Sequence, residues 1–230
     1  MAMYADDPRE FDVTEWSGGA SWRVAGETGR RASHAVVGDD GVWLFDPLDA
    51  PGVAEVVDGL GDVAGVAVLS NYHARDADAF AERHGVPVAV PSWMDRVEER
   101  VDAPVVRYDG ELGESGFSVR ESNPIPGLRE AVAYRERDGT LYVPDGLGSA
   151  PVFTVGDERV GVYLLARVFP PRDAFEGVRA ERLLFGHGDP IEDDAAGALS
   201  DALSGARWRF PRALASNGWT QVRALLAALG

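Results

Sequence analysis

Between positions 33 and 91 the chain alternates strand-like and helix-like segments, and this alternation restricts its architecture more than any other feature of the sequence. The run SHAVVGDDGVWLFDPL holds two short apolar stretches around Gly38-Asp39-Asp40-Gly41, turn chemistry suited to a hairpin, and ends at Asp46-Pro47. A short helix is expected over 53–60, followed by a strand in VAGVAVLS. The next segment, NYHARDADAFAERHG, has helical spacing in its second part and stops at Gly85, before another strand in VPVAVP. Strands that meet helices in turn pack as an α/β layered domain.

Strand signals dominate the second half: VVRYDG, GFSVRESN, EAVAYRERDGTLYVPD and ERLLFGHGDP, with Asp138-Gly139 joining a hairpin. Two helices are expected to close the chain, over 192–203 and 220–229. The second carries an apolar stripe of Trp219, Val222, Leu225, Leu226 and Leu229 that reads as core packing. With 230 residues and no sharp change of composition, a single domain over 1–230 is expected.

Charge narrows the partners. The chain has 38 acidic residues against 22 basic ones, a net charge of −16, and every basic residue is Arg. At about 1 M salt the Debye length falls to about 3 Å, so such a surface stops repelling itself and keeps the protein in solution. The reading is a halophilic protein with an acidic surface; a GC-rich genome accounts for the absence of Lys but not for the acidic excess. The arginines are scattered among acids, which argues against nucleic acid and anionic membranes as partners. With no Cys, disulfides and thiolate ligands are excluded, and any metal must be held by His and carboxylate. The start, MAMYADDPREFD, lacks an apolar signal region, and the best apolar run, 63–69, is too short to span a bilayer, so a cytoplasmic location is expected.

Three loops after strand-like runs carry ionisable groups: Asn71-Tyr72-His73-Ala74-Arg75-Asp76, Pro144-Asp145-Gly146 and Gly186-His187-Gly188-Asp189-Pro190. Such strand-end loops are where α/β folds place ligands. His34, within a strand, and His84, beside the helix stop at Gly85, read as structural, and Asp189 reads as a turn former. No nucleophile elbow, dinucleotide fingerprint or P-loop is present.

The order and spacing of VWLFDPL, VAVLSNYHARDADAFAERHGVPVAVP, NPIPGLREAVAYRERDGTLYVPDGLGS and LLFGHGDPI resemble the metallo-β-lactamase superfamily over about residues 30–195. The resemblance implies an αββα sandwich, two mixed sheets packed face to face with helices outside. It places His73 on the second His of the family's HxHxDH motif, Asp145 on its bridging Asp and His187 on its last His. Asn71 stands where the first His belongs, Arg75 on the motif Asp, Asp76 on its final His, and Leu128 on the His of a Pro-Gly-His element. A one-residue insertion would instead put Asp76 on the motif Asp and Ala77 on the final His. Asp46 is expected to support the site from beneath, or to serve only as a turn residue before Pro47.

Two readings follow. In the first, His73, Asp145 and His187, helped by Asp76, hold one divalent ion (Zn, Mn or Fe), and Asp76 and Asp145 are the catalytic carboxylates of a hydrolase acting on an ester, thioester or related bond. In the second, no metal binds: Arg75 forks between Asp76 and Asp145 as an ion-pair core, leaving a pocket for a small ligand or a surface for a protein partner. A fixed cation about 4 Å from another unit charge interacts with it by roughly 4 kcal/mol at an effective dielectric of 20, so Arg75 decides between them.

Overall fold

The computed structural model describes Met3, Tyr4 and residues 10–229, with backbone alone over 219–229. Strands β1 (Phe11–Trp16), β2 (Gly19–Val24), β3 (Ala32–Val37) and β4 (Val42–Phe45) run antiparallel in chain order. Strands β5 (Val63–Ala67), β6 (Val88–Pro91) and β7 (Val105–Tyr108) extend the same sheet in parallel. Parallel neighbours need crossovers, and helices α1 (Val53–Asp58) and α2 (Ala77–His84) supply the first two.

A second sheet is built from β8 (Ser118–Ile125), β9 (Leu128–Arg135) and β10 (Thr140–Val143) as antiparallel neighbours. The short β11 (Leu147–Gly148) and β12 (Gly161–Val162) pair with each other, and β13 (Arg182–Phe185) joins β10 in parallel. The turn at Asp138-Gly139 sets Thr140 opposite Arg135, with Gly139 in the left-handed region at φ 64°.

Side-chain alternation in the second sheet divides the core. Ala131, Ala133, Tyr142 and Leu184 face the first sheet and pack with Leu44, Phe45 and Val66. Their neighbours Val132, Leu141, Val143, Leu183 and Phe185 point to the other face, against Ala195, Ala198, Leu199, Ala202 and Ala206 of helix α3 (Ala195–Leu229). On the first sheet, α1 and α2 contribute Val53, Val57, Ala77 and Phe80 to the core. Each fully buried large apolar side chain such as Phe45 or Leu184 contributes about 2–3 kcal/mol. The result is the α/β architecture of two packed sheets with helices outside.

Two elements differ from expectation. The sequence reading starts its strands at Ser33, but β1 and β2 form an earlier hairpin over a two-residue Ser17-Gly18 turn. The four central residues of β1 are exposed, so this edge strand shows little of the apolar signal that marks a buried one. The closing region is one helix of 35 residues, with Pro211 inside it, where two were expected. Ser204-Gly205 reads as a stop, yet Gly205 lies where a Cβ would meet the Arg209 guanidinium, and Arg209 reaches back across it to Asp201 in the same helix and ties the helix to the buried Glu158. Asn217 then donates to the carbonyls of Pro151, Val152 and Thr154. The apolar stripe expected from Trp219 to Leu229 lies outside the described side chains. Among the described residues no helix is long and apolar enough to cross a membrane.

Candidate metal centre

Loops that follow strands of both sheets bring His73, Asp145 and His187 together with ligand atoms within 4.8 Å of one another. His73 follows β5, Asp145 follows β10 and His187 follows β13. Nε2 of His73 and Nε2 of His187 each lie 3.2 Å from the same oxygen, Oδ1 of Asp145.

The outer nitrogens are committed elsewhere. His73 Nδ1 donates to Asp46 Oδ2 at 2.9 Å, and His187 Nδ1 donates to the Gly29 carbonyl at 3.0 Å. These partners fix the protons on Nδ1 and turn both Nε2 atoms toward Asp145, the arrangement that outer hydrogen bonds impose on metal-binding imidazoles. Asp46 is fully buried and also accepts from Tyr142 Oη at 2.5 Å and the Leu69 amide at 2.7 Å. It therefore sits beneath His73 as well as ending β4. Asp145 accepts the Ser70 hydroxyl on Oδ2 at 2.5 Å, which leaves Oδ1 for the two imidazoles.

Glu130 steadies the Asp145 loop. Its carboxylate accepts the amides of Asp145 and Gly146, both at 2.8 Å, and the Ser122 hydroxyl at 3.0 Å. Burial, with the Asp145 charge behind it, still pushes its pKa up to about 7. Burial also raises Asp145, but His73 and His187 outweigh it and hold that carboxyl well below the usual range. Burial and the Arg75 charge push His73 down, while Asp145 and Asp46 carry it above its ordinary value. His187 is lowered, burial outweighing Asp145. A neutral His187 with its proton on Nδ1 presents a lone pair to a carboxylate oxygen 3.2 Å away. That contact is repulsive unless a cation or proton lies between them.

Arg75 and Asp76 do not stand where the sequence reading put them. Arg75 makes no fork to Asp76 and Asp145. Its Nη1 donates to the carbonyls of Ala32 at 2.6 Å and Asp46 at 2.8 Å, and its Nη2 donates to Gly186 at 3.1 Å, coming within 3.3 Å of His73 Nε2. Main-chain dipoles from three segments thus solvate the guanidinium. Arg75 and Asp46 both adopt positive φ, 43° and 47°, a strained conformation that these bonds hold in place.

Asp76 precedes α2 and turns away: its Oδ2 accepts the Asp49 amide at 2.8 Å, and it is no part of the cluster. Ala77, the alternative register, is buried in the core. Asn71 donates to the Gly127 carbonyl at 3.0 Å and accepts the Arg129 amide at 3.1 Å, clasping the turn that precedes the buried Leu128.

His34 bridges the sheets from a buried strand position, with Ser21 Oγ at 2.7 Å and the Phe185 carbonyl at 2.8 Å. Asp189 does more than turn the chain, since it receives Arg23 at 2.5 Å and Arg30 at 2.9 Å. The sequence reading missed Ser70, Glu130, Tyr142 and Gly29. Glu130 and Tyr142 carry a signal, being polar residues within strands that are otherwise largely apolar. Gly29 acts through its main chain and carries none.

The donors, two imidazole nitrogens and one carboxylate oxygen, fit a divalent Zn, Mn or Fe ion, and the outer hydrogen bonds that such a centre needs are in place. No family model and no curated protein matches the sequence. Solved structures do match. The metallo-β-lactamase DIM-1 superposes with a TM-score of 0.59 at 12% identity, covering 86% of this chain and 97% of its own. A metallo-β-lactamase from Hirschia baltica gives 0.57 at 15% identity, covering 87% and 98%. A third protein, TTHA1623 in a di-iron-bound form, gives 0.55 at 18% identity, covering 78% and 97%. Likeness at such low identity is likeness of fold, and it coincides with the two-sheet architecture described above: this chain is a divergent protein of the metallo-β-lactamase fold.

Proposed function

We propose that this chain binds one divalent metal ion through His73, Asp145 and His187 and hydrolyses an ester, thioester or related bond. One observation carries the reading: both imidazoles spend Nδ1 on fixed acceptors and turn Nε2 onto one Asp145 oxygen. Two of the similar structures are named metallo-β-lactamases and a third was solved with two irons, which supports metal-dependent hydrolysis as the general chemistry. A bound ion would lower the pKa of water toward neutrality and polarise the scissile bond. The chain's own part is to orient: Asp46 and Gly29 hold the imidazoles, while Ser70 and Glu130 hold Asp145. Arg75 adds a fixed positive charge beside His73, suited to an anionic group on a small-molecule substrate.

That same 3.3 Å approach of Arg75 Nη2 to His73 Nε2 favours a second reading, a metal-free scaffold that binds a small ligand or a protein partner. Metal content decides between them. Protein purified in molar salt without chelator and offered Zn²⁺, Mn²⁺ and Fe²⁺ separately should hold one equivalent, measured by mass spectrometry; no metal under any of these conditions leaves the second reading. The acidic composition, 38 acidic against 22 basic residues, supports a protein that works in concentrated salt, and activity that rises between 0.1 and 3 M KCl is the expected result.

A further inference from the structure

We propose that Met3 and Tyr4 form a cover over the metal site that governs access to His187, with Gly29 as its latch. The segment lies far in sequence from the other loops, yet it meets the site through one residue. The Gly29 amide donates to the Met3 carbonyl at 2.9 Å, while the Gly29 carbonyl accepts His187 Nδ1 at 3.0 Å. A single peptide segment thus touches the cover on one side and a ligand on the other.

Aromatic packing extends the contact. The Tyr4 ring lies 5.9 Å from the His187 ring, centroid to centroid, and the Arg31 guanidinium sits 5.4 Å from the Tyr4 centroid. Met3 packs against the small cluster of Ala150, Val152 and Phe153, and Phe153 stacks on His187 at 5.5 Å. His187 is accordingly only 4% exposed, while Tyr4 keeps 39% of its surface in solvent, as an outer wall does.

Gly29 shows why the latch needs that residue type. A Cβ there would lie 2.4 Å from Tyr4 Cε1, 2.7 Å from the Met3 carbonyl oxygen and 2.8 Å from Tyr4 Cδ1. Its three nearest neighbours all belong to the cover. Substituting Ala therefore pushes against Met3 and Tyr4 while leaving the carbonyl that orients His187. The Tyr4 ring packs against the His187 ring, so a small molecule reaching that ring from the Tyr4 side must displace Tyr4.

The inference concerns the site proposed above, but its test needs no metal. Metal-free full-length protein in molar salt is treated with diethylpyrocarbonate, and carbethoxylation of each histidine is followed by peptide mass spectrometry. Tyr4→Ala should raise the rate at His187 at least tenfold, and Gly29→Ala should do the same. His34, fully buried between the sheets, should stay unreactive in both variants and reports that they remain folded. An unchanged His187 rate in Tyr4→Ala overturns the proposal, whether or not Gly29→Ala reacts faster, because the latter alone would reflect a shifted carbonyl. In metal-loaded protein the same variants should release the ion to a chelator faster than the parent. A parent that binds no metal refutes the metal reading and leaves the cover to be judged by His187 reactivity.

Discussion

The polar groups of the site fall into two halves, divided by the kind of partner they choose and not by place, and the two behave in opposite ways. On one side His73, Asp145 and His187 point side-chain donors and acceptors at one another, each oriented by a further partner. On the other, Asn71 and Arg75 turn to the main chain, to Gly127 and Arg129 in one case and to Ala32, Asp46 and Gly186 in the other, and Leu128 is simply buried. Buried polar positions must be satisfied, and at Asn71 and Arg75 main-chain groups do so. The first half gathers two imidazoles around one carboxylate, and the second carries its own cation in Arg75.

This contrast can be broken by substitutions in each half. The largest effect is expected for His187→Ala, which removes one of three ligands and should weaken metal binding about 1000-fold or more, measured by competition with a chelator of known affinity. Retention of a full equivalent would place the ion elsewhere. Arg75→Ala should act in the opposite sense. Three carbonyls lose charge-assisted bonds to the guanidinium, Asp46 and Gly186 keeping only the Ser33 hydroxyl and the Ala32 amide, at a cost of about 3 kcal/mol in urea unfolding at constant salt, yet metal affinity should rise because a fixed cation has gone. A loss under about 0.5 kcal/mol, the range of ordinary surface changes, would refute the view of Arg75 as a strut. Asn71→Ala should cost about 2 kcal/mol for its two main-chain bonds and leave metal affinity unchanged. A drop in affinity there would join the halves that we separate.

The sequence announces the two halves unequally. Strand order from β3 to β6 and the Asp138-Gly139 hairpin follow from apolar periodicity and turn chemistry, while the meeting of His73, Asp145 and His187 is what the resemblance to the metallo-β-lactamase superfamily implies. The exposed β1 escapes because an edge strand needs few apolar residues, and α3 runs on because Arg209, through Glu158, and Asn217, through Pro151, anchor it by tertiary bonds that no local pattern contains. The partners of Arg75 were illegible for a related reason. Charge invites pairing with charge, so Asp76 and Asp145 are its natural partners on paper. In the fold three carbonyls converge on the guanidinium, while Asp76 is drawn to the Asp49 amide. Main-chain acceptors are present at every position and so leave no mark in the sequence.

A smaller effect, about tenfold per pH unit, separates the halves by titration. Without metal, His73 lies between Asp46 and Asp145, which hold its pKa above the ordinary 6.5 despite burial and Arg75. Binding an ion through Nε2 requires that proton to leave. Below the His73 pKa, each unit of acidification therefore weakens binding about tenfold; above it the dependence vanishes, so affinity climbs with pH and levels off beyond a midpoint higher than 6.5. Asp145, held well below the carboxylate range, stays ionised throughout this window, and His187, lowered by burial, is already neutral. Asn71 and Leu128 carry no titrating group, and an Arg keeps its charge at these pH values. Arg75 nevertheless lowers His73, so Arg75→Ala should move the midpoint upward while Asn71→Ala leaves it in place. The check is Zn²⁺ affinity measured from pH 6 to 9 at fixed salt. A flat profile would mean that His73 is neutral before the ion arrives, and the coupling between the two halves through Arg75 would then be absent.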